Sequence, residues 1–378
     1  MIIDSDSHLY EPRTLWADHA PAADRDLTLR IDDDDLGYPW LMLGDRRIEV
    51  LGIHRPGENA QSGRLREALR EGRPSGYSYD DMPADFWDPA ARVRVLDEFG
   101  IGEAVALPNC GIMWERPLED DLAATLVNMS AWNRWCESVV VDGAGRLHPV
   151  AHVTLRDLEW LERELASLSA AGVRLAMVAP SLVDGRRLSH PDHERAWAAF
   201  ARHGIAVVFH IAQYRMPFDD AWVEGDPDWS NPVLSSVFMW TAPALALADL
   251  TTRGVLARHP DLRIGVVELM SAWLPQFLLM LDGGFGFHAD FNGAPLTKME
   301  LLPSEYLKRQ VRVAAFPFEH PERLAAATGD LYMFGSDYPH PEGLAHPIPD
   351  FEARTGRGPG DDPVFYGGNA AWLLGRRA

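Results

Sequence analysis

The sequence has few lysines and no long apolar run. Its lysines are Lys298 and Lys308, and the excess of acidic residues gives a net charge of −21. Proteins that bind nucleic acid need clustered basic side chains for the phosphates, so we expect no nucleic-acid partner. No apolar stretch reaches the roughly 18 residues that a membrane span requires. The sequence therefore predicts neither nucleic-acid binding nor membrane insertion.

Cysteine is also scarce. Cys110 and Cys136 are too few for a disulfide framework. A single disulfide between them is an alternative, but two isolated cysteines are more typical of buried, reduced thiols. The first residues lead directly into acidic ones, without the basic and apolar regions of a signal peptide. We expect a cytoplasmic protein.

What the sequence does contain favours a globular enzyme. Hydrophobic residues make up 47% and charged residues 24%, which suffices for a sizeable core. The 378 residues fit one α/β barrel with insertions. Because we find no repeats and no low-complexity linker, we predict a single domain over residues 1–378.

Short apolar strands alternate with longer helical patterns, which is typical of a parallel sheet. We predict helices at 89–100, 121–141, 157–171, 190–203, 243–258 and 273–282, the last followed by a loop rich in glycine and phenylalanine. A closing helix begins at 369–374. Strands one to eight are predicted at 2–8, 104–108, 147–153, 173–178, 205–211, 263–268, 311–315 and 332–335.

Eight strands separated by helices predict a (β/α)8 TIM barrel. Long insertions follow strand one, at 10–88, and strand five, at 212–231. The first of these is irregular in pattern, and we expect it to be a lid or loop region near the active face. Catalytic groups of such barrels lie at the carboxyl ends of the strands. Polar residues that end different strands are therefore expected to lie close together, even when they are far apart in sequence.

Strand one ends in two alternating acidic residues and a histidine. With a period of two, Asp4, Asp6 and His8 share one face. Asp6 and His8 can then offer an oxygen and a nitrogen to one cation, which would offset the cost of a buried carboxylate. The alternative is a polar strand end that caps the next turn. Asp4 lies deeper, where a hydrogen-bonding role is expected.

Strands five and eight end in residues of the same kind. The apolar strand five ends in His210, and Asp337 follows strand eight, between Gly335 and Pro339. A structural histidine and a turn-capping aspartate are the alternatives. Mixed nitrogen and oxygen ligands favour Zn²⁺, Mn²⁺ or Fe²⁺ over Ca²⁺. We predict one divalent metal ion, with zinc preferred, held by Asp6, His8, His210 and Asp337.

These motifs, with the closing segment at 367–375, together resemble the amidohydrolase superfamily. The similarity is to the branch with aminocarboxymuconate-semialdehyde decarboxylase and the resorcylate and carboxyvanillate decarboxylases. It spans the chain from strand one to the end and is weak across 10–88. The resemblance implies that Asp6, His8 and His210 are metal ligands. It also implies that Asp337 contacts the metal and handles protons.

The sequence departs from that branch at strand six. Glu268 stands where the decarboxylases usually have a catalytic histidine. A glutamate can exchange a proton, particularly if burial raises its pKa, but it is no cationic donor. We expect Glu268 to be a second catalytic acid/base beside Asp337, with pairing to a nearby arginine as the alternative. Strand four lacks the lysine that bridges two metals in binuclear relatives, which implies one metal.

Five further residues are candidates for substrate binding. His152 ends strand three, Arg174 lies on strand four, and His340 follows Asp337. Trp114 and Trp222 lie in loops and could wall an apolar or aromatic substrate. Each has a structural alternative: a buried histidine, an arginine that neutralises Glu268, a plain loop residue, or a packing tryptophan.

The predicted function is metal-dependent and leans to non-oxidative decarboxylation of a small carboxylated substrate, aromatic or otherwise. Hydrolysis of an amide, lactone or ester is the alternative, and a catalytically idle ligand-binding barrel is a third. A nicotinamide-dependent oxidoreductase is disfavoured, because no Gly-x-Gly-x-x-Gly follows a strand. Relatives often dimerise, so a homodimer is one of the expected oligomeric states.

Overall fold

The computed structural model describes residues 1–49, 71–72, 79–212, 214–222, 234, 236–293 and 299–376. Its strands, in chain order, are β1 (Ile3–Asp4), β2 (His8–Leu9), β3 (Leu29–Asp33), β4 (Pro39–Leu43), β5 (Arg46–Arg47), β6 (Glu103–Pro108), β7 (Leu147–His152), β8 (Leu175–Met177), β9 (Ala206–His210), β10 (Ile264–Val267), β11 (Val311–Ala314) and β12 (Tyr332–Met333).

The central sheet is parallel and runs in the order β1, β6, β7, β8, β9, β10, β11, β12, with β2 also paired to β6. Backbone hydrogen bonds connect its two ends. Ser5 N donates to the carbonyl of Phe334 at 2.9 Å, and Asp337 N donates to the carbonyl of Asp6 at 2.8 Å. The predicted (β/α)8 barrel is confirmed.

Helices cover the outside of the strands. They are α1 (Leu15–His19), α2 (Pro89–Phe99), α3 (Leu122–Asp142), α4 (Leu158–Ala171), α5 (Glu194–His203), α6 (Thr241–Thr252), α7 (Val255–Arg258), α8 (Leu274–Asn292), α9 (Pro303–Gln310), α10 (Pro321–Thr328), α11 (Pro347–Thr355) and α12 (Asn369–Leu373).

Local sequence explains where several of these helices start. The aspartates that precede α2, α3 and α4 each accept a hydrogen bond from the backbone amide three residues on: Asp88, Asp121 and Asp157. Such caps satisfy amides that have no partner inside the helix. Among the described residues, no helix is both long enough and apolar enough to cross a membrane.

The core has two layers. An outer cluster fills the space between strands and helices. An inner cluster fills the barrel and contains alternate strand residues, closed at the amino end by α12 side chains. Its strand members include Ile3, Val105, Leu107, Val150, Met177, Val208, Val267, Ala314 and Met333. Because strand residues alternate between faces, this cluster shows which positions point into the barrel.

Two expectations about local structure are wrong. The helix predicted to end at 282 continues to Asn292. Phe285, which stands between two glycines, and Ala289, one turn further on, are half-buried, so packing outweighs the low helix propensity of glycine. The insertion at 10–88 is not irregular throughout, because β3, β4 and β5 form an antiparallel sheet. Residues 50–70 and 73–78 of this insertion, and 213 and 223–231 of the second, lie outside the described residues.

Both cysteines are buried, and neither forms a disulfide. The disulfide left open by the sequence is therefore absent, and the expectation of two reduced, buried thiols is confirmed. Burial raises the pKa of both thiols well above the usual range, so neither has the character of a reactive thiolate.

Candidate active site

Strand one is interrupted just where its polar residues begin. Ile3 belongs to the inner cluster, whereas Leu9 belongs to the outer one. Strict alternation would put both on one side, so the segment between β1 and β2 shifts the pattern by one residue. As a result His8, and not Leu9, faces the interior of the barrel.

Asp4 is used differently from Asp6 and His8. Its carboxylate accepts hydrogen bonds from Ser336 N at 2.9 Å and from Asp6 N at 3.1 Å. It therefore ties strand one to the end of strand eight. The expectation that alternation alone aligns all three residues is wrong, because the strand is broken between them.

Asp6 and His8 meet three residues from distant strands. His8 Nε2 lies 3.7 Å from Asp6 Oδ1, 3.5 Å from Glu268 Oε2 and 3.5 Å from Asp337 Oδ1. His210 Nε2 lies 2.9 Å from Glu268 Oε2 and 3.9 Å from Asp6 Oδ1. Two atoms that each bind one cation at about 2.1 Å can be at most about 4.2 Å apart. The five side chains, called the metal group below, meet that limit in every one of these pairs.

The two histidines are oriented by backbone carbonyls. His8 Nδ1 lies 3.0 Å from the carbonyl of Pro108, and His210 Nδ1 lies 2.7 Å from that of Ile211. A carbonyl only accepts, so each Nδ1 carries a hydrogen and each Nε2 faces the carboxylates. This is the orientation typical of metal-bound histidine.

Buried atoms of the group make no regular hydrogen bond. They include Asp6 Oδ1 and the Nε2 atoms of His8 and His210. Buried polar atoms without partners are rare in proteins, and a bound cation would satisfy these. The donor types and their spacing thus fit a divalent metal ion. Among the described residues, two overlapping sets have suitable spacing: Asp6, His8, His210 and Glu268; and His8, Glu268, Asp337 and His340. Of the four predicted ligands, Asp337 therefore shares a set with His8 but not with Asp6 or His210.

Charge crowding in the group changes its proton affinities. Burial, together with the charges of Asp337 and Glu268, raises the pKa of Asp6 well above its usual range. Burial and the neighbouring His340 lower the pKa of His8 to about 3. His8 is therefore a neutral imidazole at neutral pH, as a metal ligand must be.

Glu268 behaves differently from the raised-pKa acid considered for it. Burial opposes its ionisation, whereas His210 and His8, when they carry a proton on Nε2, hold its pKa well below the usual range. Its carboxylate is directed at the Nε2 atoms of both histidines, the arrangement expected of groups that share one cation. The pairing with an arginine, left open by the sequence, is not what Glu268 makes in this structure.

The backbone explains how Glu268 reaches the group. Val267 belongs to the inner cluster, so an extended Glu268 would point away from the barrel interior. Instead Glu268 has a φ of 52° and Met270 a φ of 61°, both left-handed. This conformation costs a residue other than glycine roughly 1–2 kcal/mol. Asp337 shares it with a φ of 56°. Strain of this kind is typical of functional sites.

His340 lies beside Asp337, as the sequence suggested. Its Nδ1 is 2.9 Å from Asp337 Oδ1, and its ring stacks on His8 with centroids 4.0 Å apart. Its Nε2 lies 3.0 Å from Asn109 Oδ1. Asn109 is a site residue that the sequence analysis did not predict. Its position could have indicated this role, because Asn109 follows the inward-facing Leu107 by two residues and so continues the same side of the strand.

His152 and Trp114 form a second part of the barrel mouth. His152 Nε2 lies 3.0 Å from Glu115 Oε2, and its ring centroid is 5.0 Å from that of Trp114. His152 follows the inward-facing Val150 by two residues. Both rings are buried. His152 is the last residue of β7, so both rings lie at the end of the barrel where the metal group lies.

Arg174 and Trp222 are not part of this arrangement. The Arg174 guanidinium donates to the carbonyls of Ser169 and Val173, at the amino end of β8 and thus opposite the mouth. A role for Arg174 in binding substrate or neutralising Glu268 is therefore excluded by its position. Trp222 is 68% exposed in a short turn and does not line the buried site.

The sequence matches the family model described as amidohydrolase over residues 6–376. No curated protein matches. Among solved structures, an amidohydrolase from Mycobacterium avium subsp. paratuberculosis is 27% identical, with a TM-score of 0.77 over 99% of this chain and 98% of that one.

Two decarboxylases share the fold at lower identity. The 5-carboxyvanillate decarboxylase of Novosphingobium aromaticivorans, solved with manganese, is 17% identical, with a TM-score of 0.66 over 99% of this chain and 97% of that one. A 2,6-dihydroxybenzoate decarboxylase from Rhizobium is 15% identical, with a TM-score of 0.64 over 99% and 98%. These two likenesses show a shared fold, and the amidohydrolase family suggested by the sequence motifs is confirmed by the family model. Since the family match spans nearly the whole chain, including every residue of the metal group, the protein belongs to the amidohydrolase family.

Proposed function

We propose that this protein is a metal-dependent enzyme that removes CO₂ from a small carboxylated substrate, with a hydroxylated aromatic acid as the preferred class. The observation that carries the proposal is the metal group: three buried carboxylates and two buried imidazoles with ligand spacing at the barrel mouth. Such a concentration of negative charge is costly to bury unless a cation accompanies it.

Asp6, His8, His210 and Asp337 are the proposed ligands of one divalent ion, and Glu268 joins them as a carboxylate ligand. Zinc is the preferred ion, with manganese or iron as alternatives, because the donors mix imidazole nitrogen with carboxylate oxygen. When bound, the ion supplies positive charge that polarises substrate oxygens.

Asp337 is the proposed proton donor. In its protonated form it gives a proton to the substrate carbon that bears the carboxylate, and a carbon–hydrogen bond forms. The carbon–carboxylate bond then breaks, its electron pair returns to the ring, and CO₂ leaves. His340 Nδ1, 2.9 Å from Asp337 Oδ1, keeps this carboxyl group in place, and Asn109 in turn holds His340.

The preference for an aromatic acid rests on the wall of the site. Trp114 and His152 present buried ring faces that can stack on an aromatic substrate. Glu115 fixes the His152 ring through Nε2. His152 Nδ1 is buried without a hydrogen-bond partner and is proposed to bind a polar substituent of the substrate.

The test combines metal analysis with product analysis. Purified protein should contain about one equivalent of Zn, Mn or Fe. It should release CO₂ from one or more hydroxybenzoates, detected together with the decarboxylated phenol by chromatography. Asp337→Asn should lower the rate of release by about a hundredfold or more. Protein without stoichiometric metal, combined with unaltered behaviour of Asp337→Asn, would instead support an idle ligand-binding barrel.

Hydrolysis is the second candidate, and Glu268 favours it. The decarboxylase pattern has a histidine at this position, whereas an ionised glutamate supplies no cationic donor. A carboxylate-rich site is suited to accepting the proton of an attacking water. The same preparation should therefore be offered esters, lactones and amides, with acid release as the readout. Acid release without CO₂ formation would replace decarboxylation by hydrolysis.

A further inference from the structure

We infer that Glu319 is a positioning residue that holds the Glu268 carboxylate in the metal group; the inference rests on the proposed metal centre. Glu319 follows β11, in the loop beyond strand seven, and only 4% of it is exposed. It belongs to neither of the two sets of candidate ligands. Its carboxylate is directed at the loop that follows β10, where Glu268 lies.

The Glu319 carboxylate binds consecutive amides of that loop. Oε1 accepts hydrogen bonds from Ser271 N at 2.8 Å and Ala272 N at 2.7 Å. Oε2 accepts from Ser271 Oγ at 2.8 Å and from Phe316 N at 2.7 Å, with a longer contact from Ser271 N at 3.0 Å. One carboxylate thus fastens the loop after strand six to the loop after strand seven.

The carbonyls of the same loop are held from the other side. The Trp273 indole Nε1 donates to the carbonyl of Met270 at 2.8 Å and to that of Leu269 at 3.2 Å. Between Glu268 and Trp273 the backbone is therefore fixed through both its amides and its carbonyls. Left-handed residues other than glycine persist where the surroundings fix them in this way, and this segment contains two.

The link from Glu319 to the metal group is a backbone link. Released from these bonds, Glu268 would favour an extended conformation, and its carboxylate would turn away from the inward-facing side that Val267 defines. With the bonds in place, Glu268 Oε2 lies 2.9 Å from His210 Nε2. Glu319 therefore acts on the proposed metal site through Glu268 and touches no ligand atom itself.

The experiment measures Mn²⁺ affinity by titration calorimetry in a double-mutant cycle. Glu319→Gln keeps the size of the side chain but replaces one carboxylate oxygen with an NH₂ group. This group cannot accept hydrogen bonds from the backbone N–H groups. We expect Mn²⁺ binding to weaken by about tenfold or more, the usual effect of losing a residue that orients a ligand. In a Glu268→Gln background the same change should cause no further loss. Glu305→Gln is the matched control, because Glu305 also accepts a backbone amide bond, from Leu302 N at 2.8 Å, away from the site.

Each outcome decides between the two proposals. Wild-type protein that binds neither Mn²⁺ nor Zn²⁺ overturns the metal centre itself. Wild-type binding that is weakened by Glu268→Gln but not by Glu319→Gln overturns the role of Glu319 alone. Equal losses from Glu319→Gln in both backgrounds also overturn it, because they indicate general destabilisation. If Glu319→Gln does not fold, two other variants replace it: Ser271→Ala removes the Oγ bond to Glu319, and Trp273→Phe removes both indole bonds to the loop carbonyls. Unchanged Mn²⁺ affinity in both variants contradicts the inference.

Discussion

Gly335 packs directly against Asp6, so closely that a Cβ atom on residue 335 would lie 2.7 Å from the Asp6 Cβ. Real Cβ atoms do not approach each other to this distance, so even the smallest side chain at 335 must displace Asp6. The closure of the barrel between its first and last strands thus sets the position of one proposed metal ligand.

Gly335→Ala is expected to weaken Mn²⁺ binding by about tenfold or more, because Asp6 is pushed out of ligand distance. Overpacking should also lower the free energy of unfolding by about 1–3 kcal/mol. Calorimetric titration and urea denaturation measure the two effects. Gly360→Ala is the control, since a Cβ there meets nothing within 4 Å. An unchanged Mn²⁺ affinity in Gly335→Ala would show that Asp6 is not a ligand.

Asp6→Asn should separate stability from metal binding. Asp6 is one of three crowded, buried carboxylates, and replacing it with a neutral amide removes repulsion from Asp337 and Glu268. We expect the metal-free variant to melt at a higher temperature than metal-free wild type. The rise in melting temperature that Mn²⁺ gives wild type, through mass action, should disappear. Scanning calorimetry with and without a chelator measures both; exposed Asp290→Asn should match wild type in each.

Asp337→Asn tests the proposed proton donor. An asparagine keeps the size of the side chain but has no carboxyl proton to deliver. At saturating Mn²⁺ we expect the turnover number to fall by about 10²–10⁴, the usual contribution of acid–base catalysis. Steady-state assays at several metal concentrations separate this loss from weaker metal binding. Full turnover restored by excess Mn²⁺ would mean that Asp337 only holds the metal.

His152→Ala and Arg174→Ala form a matched pair for substrate binding. His152 lies at the mouth with Trp114, and losing its hydrogen bond to a polar substituent of the substrate should raise KM by about threefold to tenfold. Arg174 bonds two backbone carbonyls at the opposite end of its strand, so its removal should leave KM unchanged. Steady-state kinetics with one substrate checks both. A higher KM in Arg174→Ala alone would contradict the location of the site.

Glu11 gives a testable pH dependence of stability. It is fully buried, its oxygens accept hydrogen bonds from Cys110 N and Gly111 N, and burial raises its pKa from 4.5 to about 7. A carboxyl group with a raised folded-state pKa contributes its full stability below pH 4.5 and loses it as the pH rises through 7. The expected loss is about 3 kcal/mol.

Urea denaturation from pH 5 to pH 8 measures this effect. Wild type should lose stability over the range relative to Glu11→Gln, which has no titrating group at this position. Glu159→Gln, an exposed glutamate on α4, should follow wild type. Parallel curves for wild type and Glu11→Gln would exclude Glu11 as the source.

The sequence by itself determined the barrel and most of the metal group. Apolar strands alternating with amphipathic helices leave few alternatives to a parallel barrel. In such a barrel the carboxyl ends of all strands lie on the same side. His210 and Asp337 could therefore be brought to His8 without coordinates. The same rule could have excluded Arg174, which stands at the start of its strand.

Only the tertiary structure decided how the strand ends are directed. The break in strand one reverses the alternation between Ile3 and His8, and the left-handed turn at Glu268 brings a carboxylate inward from an outward position. Neither feature has a local sequence signal, because both are held by distant partners: the last strand in the first case, Glu319 and Trp273 in the second. Periodicity specifies which face a regular strand presents, whereas a strained loop takes its direction from whatever packs against it.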